Sequence, residues 1–317
     1  MRVLISGATG LVGKELVSRL LKSGYGVNYL TTSKKKIQHT ELYNGYYWNP
    51  EKGEIDPSCL ENVGTIIHLA GATISKRWTT AYKQEILESR VLGTNVIATL
   101  LKNTENDVHQ FITASATGIY PSSDTIFYTE DSPERDNSFL GTVVQKWEAA
   151  ADVIAASGIK VAKIRTGLVL SGKSGVLKEL ATPVKLGFGA AFGSGNQIQS
   201  WIHVDDLVGI YIHTLMHGLE GAYNAVAPHP VTQNEMVKTI AEVVEKPLFL
   251  PNIPRFVMRL ALGEMSTLLF DSQNVSARKI VAAGYQFKYL SLESAVVHAL
   301  RDCLLYTSPS PRDGLLS

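Results

Sequence analysis

The chain has 317 residues, 45% of them hydrophobic, and its 30 Lys and Arg against 29 Asp and Glu leave a net charge of +1. That is enough chain for one large or two moderate domains with a real core, and the balanced charge gives no electrostatic footprint for nucleic acid. No apolar run reaches the ~18 residues of a membrane helix, and two cysteines, Cys59 and Cys303, do not make a disulfide framework.

Met1 runs straight into the apolar strand pattern RVLIS, which leaves no room for a signal peptide and points to a reducing cytoplasm. GATGLVG, Gly7 to Gly13, follows that strand and opens the amphipathic helix LVGKELVSRLLKS, whose Leu16, Val17, Leu20 and Leu21 point inward and whose stop is Gly24. This strand–glycine–helix context is what a dinucleotide fingerprint needs. Gly7 permits a tight turn, Gly10 lets backbone approach a pyrophosphate, and Gly13 allows close helix packing. With Thr9, Leu11 and Val12 they form the expected phosphate contact, where the helix start offers free N–H groups and about half a positive charge.

GVNYLTT is the second strand, and LTTSKKK follows it. An enzyme that uses NAD places Asp or Glu here, about 20 residues beyond the glycines, to bind the ribose 2′-hydroxyl. Thr31, Thr32, Ser33, Lys34 and Lys35 stand there instead, which favours the 2′-phosphate of NADP and leaves NAD open. If the lysines simply face water, the selectivity is weak. GTIIHLAGA is a nearly continuous apolar run, as a strand buried on both faces requires. Leu69, Ala70 and Gly71 let backbone lie against adenosine and ribose, and His68 reads as a packed strand histidine more readily than as a catalyst. QEILESRVLGTNVIATLLKN is a long helix and HQFITASA a strand. SFLGTVVQKWEAAAD is the next helix, and GIKVAKIRTGLVL another strand. The alternation predicts an α/β fold, a Rossmann-type doubly wound parallel sheet.

Beyond Ser171 the rhythm changes. Glycines from Gly172 to Gly195 punctuate a loop-rich stretch, WIHVDDLVGIYIHTLMHG returns to helix, and AYNAVA is a short strand. From Pro228 the pattern is helical with Pro-rich turns. After Ala299 that pattern stops, and CLLYTSPSPRDGLLS resembles translated adapter sequence. The expected organisation is a nucleotide-binding domain over residues 1–228, a smaller mainly helical lobe over 229–303, and a non-native disordered tail over 304–317.

GATGLVG, HLAGA, ITASATG, RTGLVL and WIHVDDL together resemble the extended short-chain dehydrogenase/reductase superfamily, of the NAD-dependent epimerase/dehydratase type. More narrowly, KRWTTAYKQEILESR, TEDSP, KWEAAA, GSGNQIQSWIHVDDL, NAVAPHPVTQNEM and LGEM resemble the YfcH-like epimerase-family proteins, an atypical branch with a small C-terminal domain of unknown function. The resemblance spans residues 1 to 300. It implies that Glu85 and Arg90, on the long helix, lie near the nucleotide, and that Leu168 of RTGLVL joins the cofactor contacts. The branch often has Arg after the Thr or Ser of the second strand. This chain has Thr32 there, so Lys34 or Lys35 must compensate.

The superfamily places Tyr-x-x-x-Lys on the helix that here reads SFLGTVVQKWEAAAD. Anchoring on Glu148 puts Leu140 where the Tyr would be and Val144 where the Lys would be. The face formed by Phe139, Leu140, Val143, Val144, Trp147, Ala150 and Ala151 holds nothing that can give or take a proton, and no tyrosine of the chain is followed four residues later by Lys. General acid–base catalysis supplies about 10²–10⁴-fold in rate, so a substitute is required. Ser115 and Thr117 at the end of the fifth strand, and Tyr120 in GIYP, are the candidates, with a packed loop Tyr the competing reading of Tyr120. His203 and Asp205 read as structural. His213 and His217 lack a third ligand, so no metal site is expected. The loop Gly187–Gly195, with Gln197, Gln199, Ser200 and Trp201, is expected on the substrate side, and Arg255 and Arg259 are placed to close it. The reading is an NADP-type oxidoreductase or epimerase of a small polar molecule. A nucleotide-binding regulatory or scaffold protein without turnover is the alternative. No nucleic acid or membrane partner is expected, and a homodimer is left open.

Overall fold

The computed structural model describes residues 2–305, with side chains through residue 300. Its elements in chain order are β1 (Arg2–Ser6), α1 (Leu11–Lys22), β2 (Gly26–Thr31), β3 (Tyr43–Asn49), β4 (Glu54–Ile55), β5 (Val63–His68), α2 (Thr80–Asn103), β6 (Gln110–Ala116), α3 (Phe139–Ala155), β7 (Lys160–Thr166), β8 (Leu168–Leu170) and α4 (Val176–Lys185). Then come β9 (Ile198–Gln199), β10 (Trp201–His203), α5 (Val204–His217), β11 (Gly221–Ala225), β12 (Val231–Thr232), α6 (Gln233–Val243), α7 (Arg255–Leu262), α8 (Thr267–Phe270), α9 (Arg278–Ala282) and α10 (Leu292–Leu305).

One sheet of eight strands runs β11-β7-β6-β5-β1-β2-β3-β4. Every pairing is parallel except that of β3 with the two-residue β4. β2 and β5 are buried along their whole length, as strands covered on both faces must be. α2 packs on α3, and α1 on α5. One cluster, including Val3, Ile5, Leu16, Leu20, Val208 and Ile210, joins the sheet to α1 and α5. Another, including Leu4, Ile66, Ile97, Phe111 and Ile154, lies under α2 and α3. The chain winds outward from β1 in both directions, so the β1 and β5 ends form the switch point where such sheets hold ligands.

Several elements depart from the sequence pattern. The expected strand GIKVAKIRTGLVL breaks at Gly167, where a Cβ would meet the Ser200 carbonyl and Val226. β7 stays in the sheet, and β8 leaves it to pair with β10. WIHVDDL begins as that strand, and the helix starts only at Val204, where the His203 ring accepts a hydrogen bond from the Asp205 N–H at 3.1 Å. β3 gave no sequence signal, because YNGYYWN is half-buried on both faces and lacks a clean alternation. The helical pattern expected to stop after Ala299 continues in α10 to Leu305. Two residues of the expected tail therefore fall in a helix, and 306–317 lie outside the described residues.

No residue beyond β11 joins the large sheet among the described residues. α10 packs on α6 and β8 instead, close enough that a Cβ at Gly172 would strike the Ala299 carbonyl. Among the described residues no helix is long and apolar enough to cross a membrane.

Candidate functional site

A cavity of about 510 Å³ opens at the switch point, within the range of small-molecule sites. One end of it is the glycine turn. Gly7 takes φ +71°, and a Cβ on it would sit 2.9 Å from the Ala70 nitrogen and the Leu69 carbonyl carbon. A Cβ on Gly13 would collide with the Gly7 carbonyl, whereas one on Gly10 would meet protein only at 3.3 Å and otherwise face the cavity. Gly10 caps α1 without a side-chain bond, and the first turn carries no acidic residue. Its N–H groups are therefore left to a ligand. Leu11, Val12 and Leu69 also line the cavity, and Thr9 is exposed outside its wall.

A serine fixes the loop beside this turn. Ser6 Oγ accepts from the N–H groups of Leu69 and Ala70, both at 3.1 Å, and lies 2.7 Å from His68 Nδ1. With both acceptor sites used, the hydroxyl must donate to Nδ1, so His68 is neutral with its proton on Nε2. Complete burial, reinforced by the Arg90 charge, pushes its pKa down to about 4. His68 is a packed strand histidine.

Arg90 reaches over from α2. It donates from Nη1 to the carbonyls of Ile86 (2.9 Å) and Ala72 (3.2 Å), stacks over Trp147 at 5.1 Å, and lies against Gly71. Burial lowers its pKa to about 10, so it keeps its charge at neutral pH. Nε and Nη2 make no hydrogen bond among the described residues, and the residue lines the cavity.

At the β2 end, the buried Thr31 accepts from the Ser33 N–H at 3.2 Å. Thr32 and Lys34 are exposed, with Lys34 Nζ 5.0 Å over the Tyr47 ring. No carboxylate occurs between Thr31 and Thr40.

The other end of the cavity is built from side chains. Ser115 and Thr117 of the β6 end line it, as do Leu140, Val144 and Trp147 of α3 and Leu168 of β8. Ser115 donates to the Glu148 carboxylate at 2.6 Å, and Arg165 clamps that carboxylate from Nε (2.8 Å) and Nη2 (2.9 Å). Glu148 is thus a buried acid on the very helix face read from sequence as proton-inert, which corrects that reading. Burial alone would raise its pKa, but hydrogen bonds and charge from Arg165, with Ser115 and Lys163 behind them, hold it below the usual carboxylate value.

The structure puts other expected residues elsewhere. Tyr120 is fully buried outside the cavity wall, stacked on Tyr128, with its hydroxyl donating to Asn224 and accepting from Arg165, both at 2.8 Å. It is a packed loop tyrosine and not a pocket acid. Glu85 is exposed on α2, beside a separate hollow shared with Glu51 and Glu88. Of the expected substrate loop, only Gln199 and Ser200 reach the cavity; Gly187–Gly195, Gln197, Trp201, Arg255 and Arg259 do not. Residues that sequence patterns did not mark take their place: Asp136 and Ser138 ahead of α3, and Leu268, Asp271 and Gln273 from the C-terminal region.

Comparison with known proteins matches nearly the whole chain. Residues 3–225 match the NAD dependent epimerase/dehydratase family, and residues 253–299 match a domain of unknown function. The chain is 35% identical over 303 residues to an epimerase family protein of Staphylococcus aureus (strain N315), covering 94% of this chain and 99% of that one. The crystal structure of the human epimerase family protein SDR39U1 with NADPH superposes with a TM-score of 0.82 at 28% identity, covering 95% of this chain and all of that one. A nucleoside-diphosphate sugar epimerase from Corynebacterium glutamicum gives a TM-score of 0.76 at 30% identity over 95% of this chain and 58% of that one.

Proposed function

The chain belongs to the NAD dependent epimerase/dehydratase family, and from that premise we propose that it binds NADP(H) in this cavity and acts as an oxidoreductase or epimerase on a small polar molecule. The observation that carries the reading is the cradle at Gly7–Gly13, where added Cβ atoms would strike backbone or face the cavity and the α1 N–H groups have no cap. The fit to a dinucleotide is good. Gly10, Leu11, Val12 and Gly13 suit the pyrophosphate, Leu69, Ala70 and Gly71 offer backbone and small side chains to the adenosine half, and Arg90 adds a fixed cation. Thr31, Thr32 and Lys34 are the groups for a 2′-phosphate, and the NADPH of the human relative supports that choice over NAD. When bound, this nucleotide carries or accepts a hydride.

The residues on the substrate side then have defined roles. Arg165 keeps Glu148 ionised, and Glu148 accepts the hydrogen bond of the Ser115 hydroxyl. The lone pairs of Ser115 are left to the cavity, so it accepts a hydrogen bond from a substrate hydroxyl and orients it. Leu140, Val144 and Trp147 exclude water from that spot.

A second reading, a nucleotide-binding regulatory or scaffold protein without turnover, is favoured by one observation: Leu140 and Val144 stand on the cavity wall where the wider superfamily keeps its Tyr and Lys. Calorimetry with NADPH and NADH, followed by a screen of carbonyls and sugars for cofactor turnover, separates the two. Absence of NADPH binding overturns the proposal, and binding without turnover on any compound leaves the regulatory reading ahead.

A further inference from the structure

Leu140 and Val144 stand on the cavity wall where the superfamily resemblance would place a tyrosine and a lysine, so carbonyl reduction there needs another acid. Its wall holds two carboxylates, those of Asp136 and Asp271, one cation, Arg90, and one tyrosine, Tyr211, which is fully buried and whose pKa burial pushes well up, so that it gives up its proton poorly. Arg90 is tied to the α2 and 69–72 side. Asp136 accepts from both the N–H and the hydroxyl of Ser138 and is committed to the start of α3. Glu148 is clamped by Arg165 behind Ser115.

Asp271 differs from all three. It is half-buried directly after α8, with its main chain fixed by the Thr267 carbonyl and by Gln199 Nε2. Its carboxylate makes no hydrogen bond or ion pair among the described residues. Leu268 shares the cavity wall with it, and Ser272 and Gln273, which follow it, are bonded to Ser122 and Tyr120. It is therefore held rigidly by its backbone while its acid group is free to meet a ligand.

Building on the NADP(H) reading above, we propose that Asp271, contributed by the C-terminal region, is the proton-transfer residue of this cavity. In a reduction, the substrate carbon gains a hydride from the dihydronicotinamide. The carbonyl π pair becomes an O–H bond with the proton of the Asp271 acid, whose own O–H bond breaks, and the carboxylate left behind regains a proton from solvent. Oxidation runs the same transfers in reverse. The electrostatics suit this role. Burial first, and the Asp136 carboxylate second, raise the Asp271 pKa, and Arg255, stacked at 4.9 Å over Phe270, opposes them in part. A raised carboxyl is what a general acid near neutral pH needs.

The test uses the whole protein and needs no substrate. The aspartate carboxyl carbons are labelled with ¹³C, and the Asp271 signal is assigned by its loss in Asp271→Asn, or in Asp271→Ser should the first variant misfold. Its titration is then followed in the NADPH and NADP⁺ complexes. An acid beside the reacting ring must sense the positive charge of the oxidised nicotinamide, so its pKa should be lower by at least about half a unit in the NADP⁺ complex. A carboxyl with a merely structural role titrates identically in both. That result, with both nucleotides bound by calorimetry, overturns the Asp271 proposal and leaves the nucleotide reading standing. Failure of the wild-type protein to bind either nucleotide overturns the nucleotide reading and the Asp271 proposal with it.

Discussion

At the glycine turn the cavity wall is backbone: uncapped N–H groups, a left-handed Gly7, and a loop pinned by one serine. At the opposite end it is side chains, brought together from β6, α3, the β9 region and the segment after α8. The first kind of wall tolerates few residues, because an added Cβ meets main chain wherever it points inward. The second kind can exchange its members while the sheet stays as it is, and in this chain Leu140 and Val144 face the cavity. A fold of this type keeps its nucleotide end constant and changes its chemistry at the other.

Perturbing each end in turn sharpens the contrast. The largest effect is expected at the side-chain end. Glu148→Ala leaves the Arg165 charge buried without its partner and should cost about 3–5 kcal/mol in urea unfolding. Replacing both residues with apolar ones of similar volume should recover most of it. Nucleotide affinity of the folded fraction should change little, and a large loss would show that the two ends are not independent.

Next is His68 at the backbone end. Its folded pKa is about 4, against an ordinary value of 6.5. Below pH 6.5 the unfolded chain takes up a proton that the native state refuses until about pH 4. Stability is therefore full above pH 6.5 and falls by roughly 3 kcal/mol as the pH drops through that window. In His68→Gln that slope should vanish, which unfolding curves at pH 7.5, 6 and 5 will show. Glu148 acts in a separate window: its depressed pKa gives stability that is present above about pH 4.3 and lost below it.

Gly10→Val should lower NADPH affinity at least about 100-fold, roughly 2.7 kcal/mol, with a melting temperature close to wild type. Gly13→Ala, whose Cβ strikes the Gly7 carbonyl, should instead lower the melting temperature as well. The smallest effect is expected from Lys34→Ala with Lys35→Ala. The preference for NADPH over NADH should fall about tenfold, roughly 1.4 kcal/mol, and an unchanged preference would remove these lysines from 2′-phosphate recognition.

The same contrast explains what could be read from the sequence. GATGLVG was legible because one local backbone path dictates its residues, and the buried strands were legible because each is a continuous apolar run. The side-chain end was not. Glu148 looked like one polar residue in an apolar helix until Arg165 and Ser115 met it from two strands. Tyr120 is sealed by Asn224 and Tyr128, which lie outside its own segment. Asp271 carries no pattern at all, since its place on the wall depends on Ser122 and Tyr120 anchoring the residues beside it. Glu85 lies five residues before Arg90 on α2, about 140° around the helix, and that rotation alone separates an exposed acid from a cavity residue.

One contact has a bearing on how the protein is made. The wall that begins at Gly7 is finished by Gln273, and the Ser123 and Tyr128 N–H groups bond the carbonyls of Ser272 and Asn274. At about 5–20 residues per second, a ribosome needs on the order of 10–50 seconds to deliver the last of these residues after the first. During that interval β7 awaits its neighbour β11, and the cavity has a floor and one side only. A nucleotide cannot be fully enclosed until Gln273 has joined the wall, so its stabilisation by mass action comes late in folding. NADPH added to a refolding reaction should therefore raise the final stability and yield while leaving the earliest folding phase at its original rate.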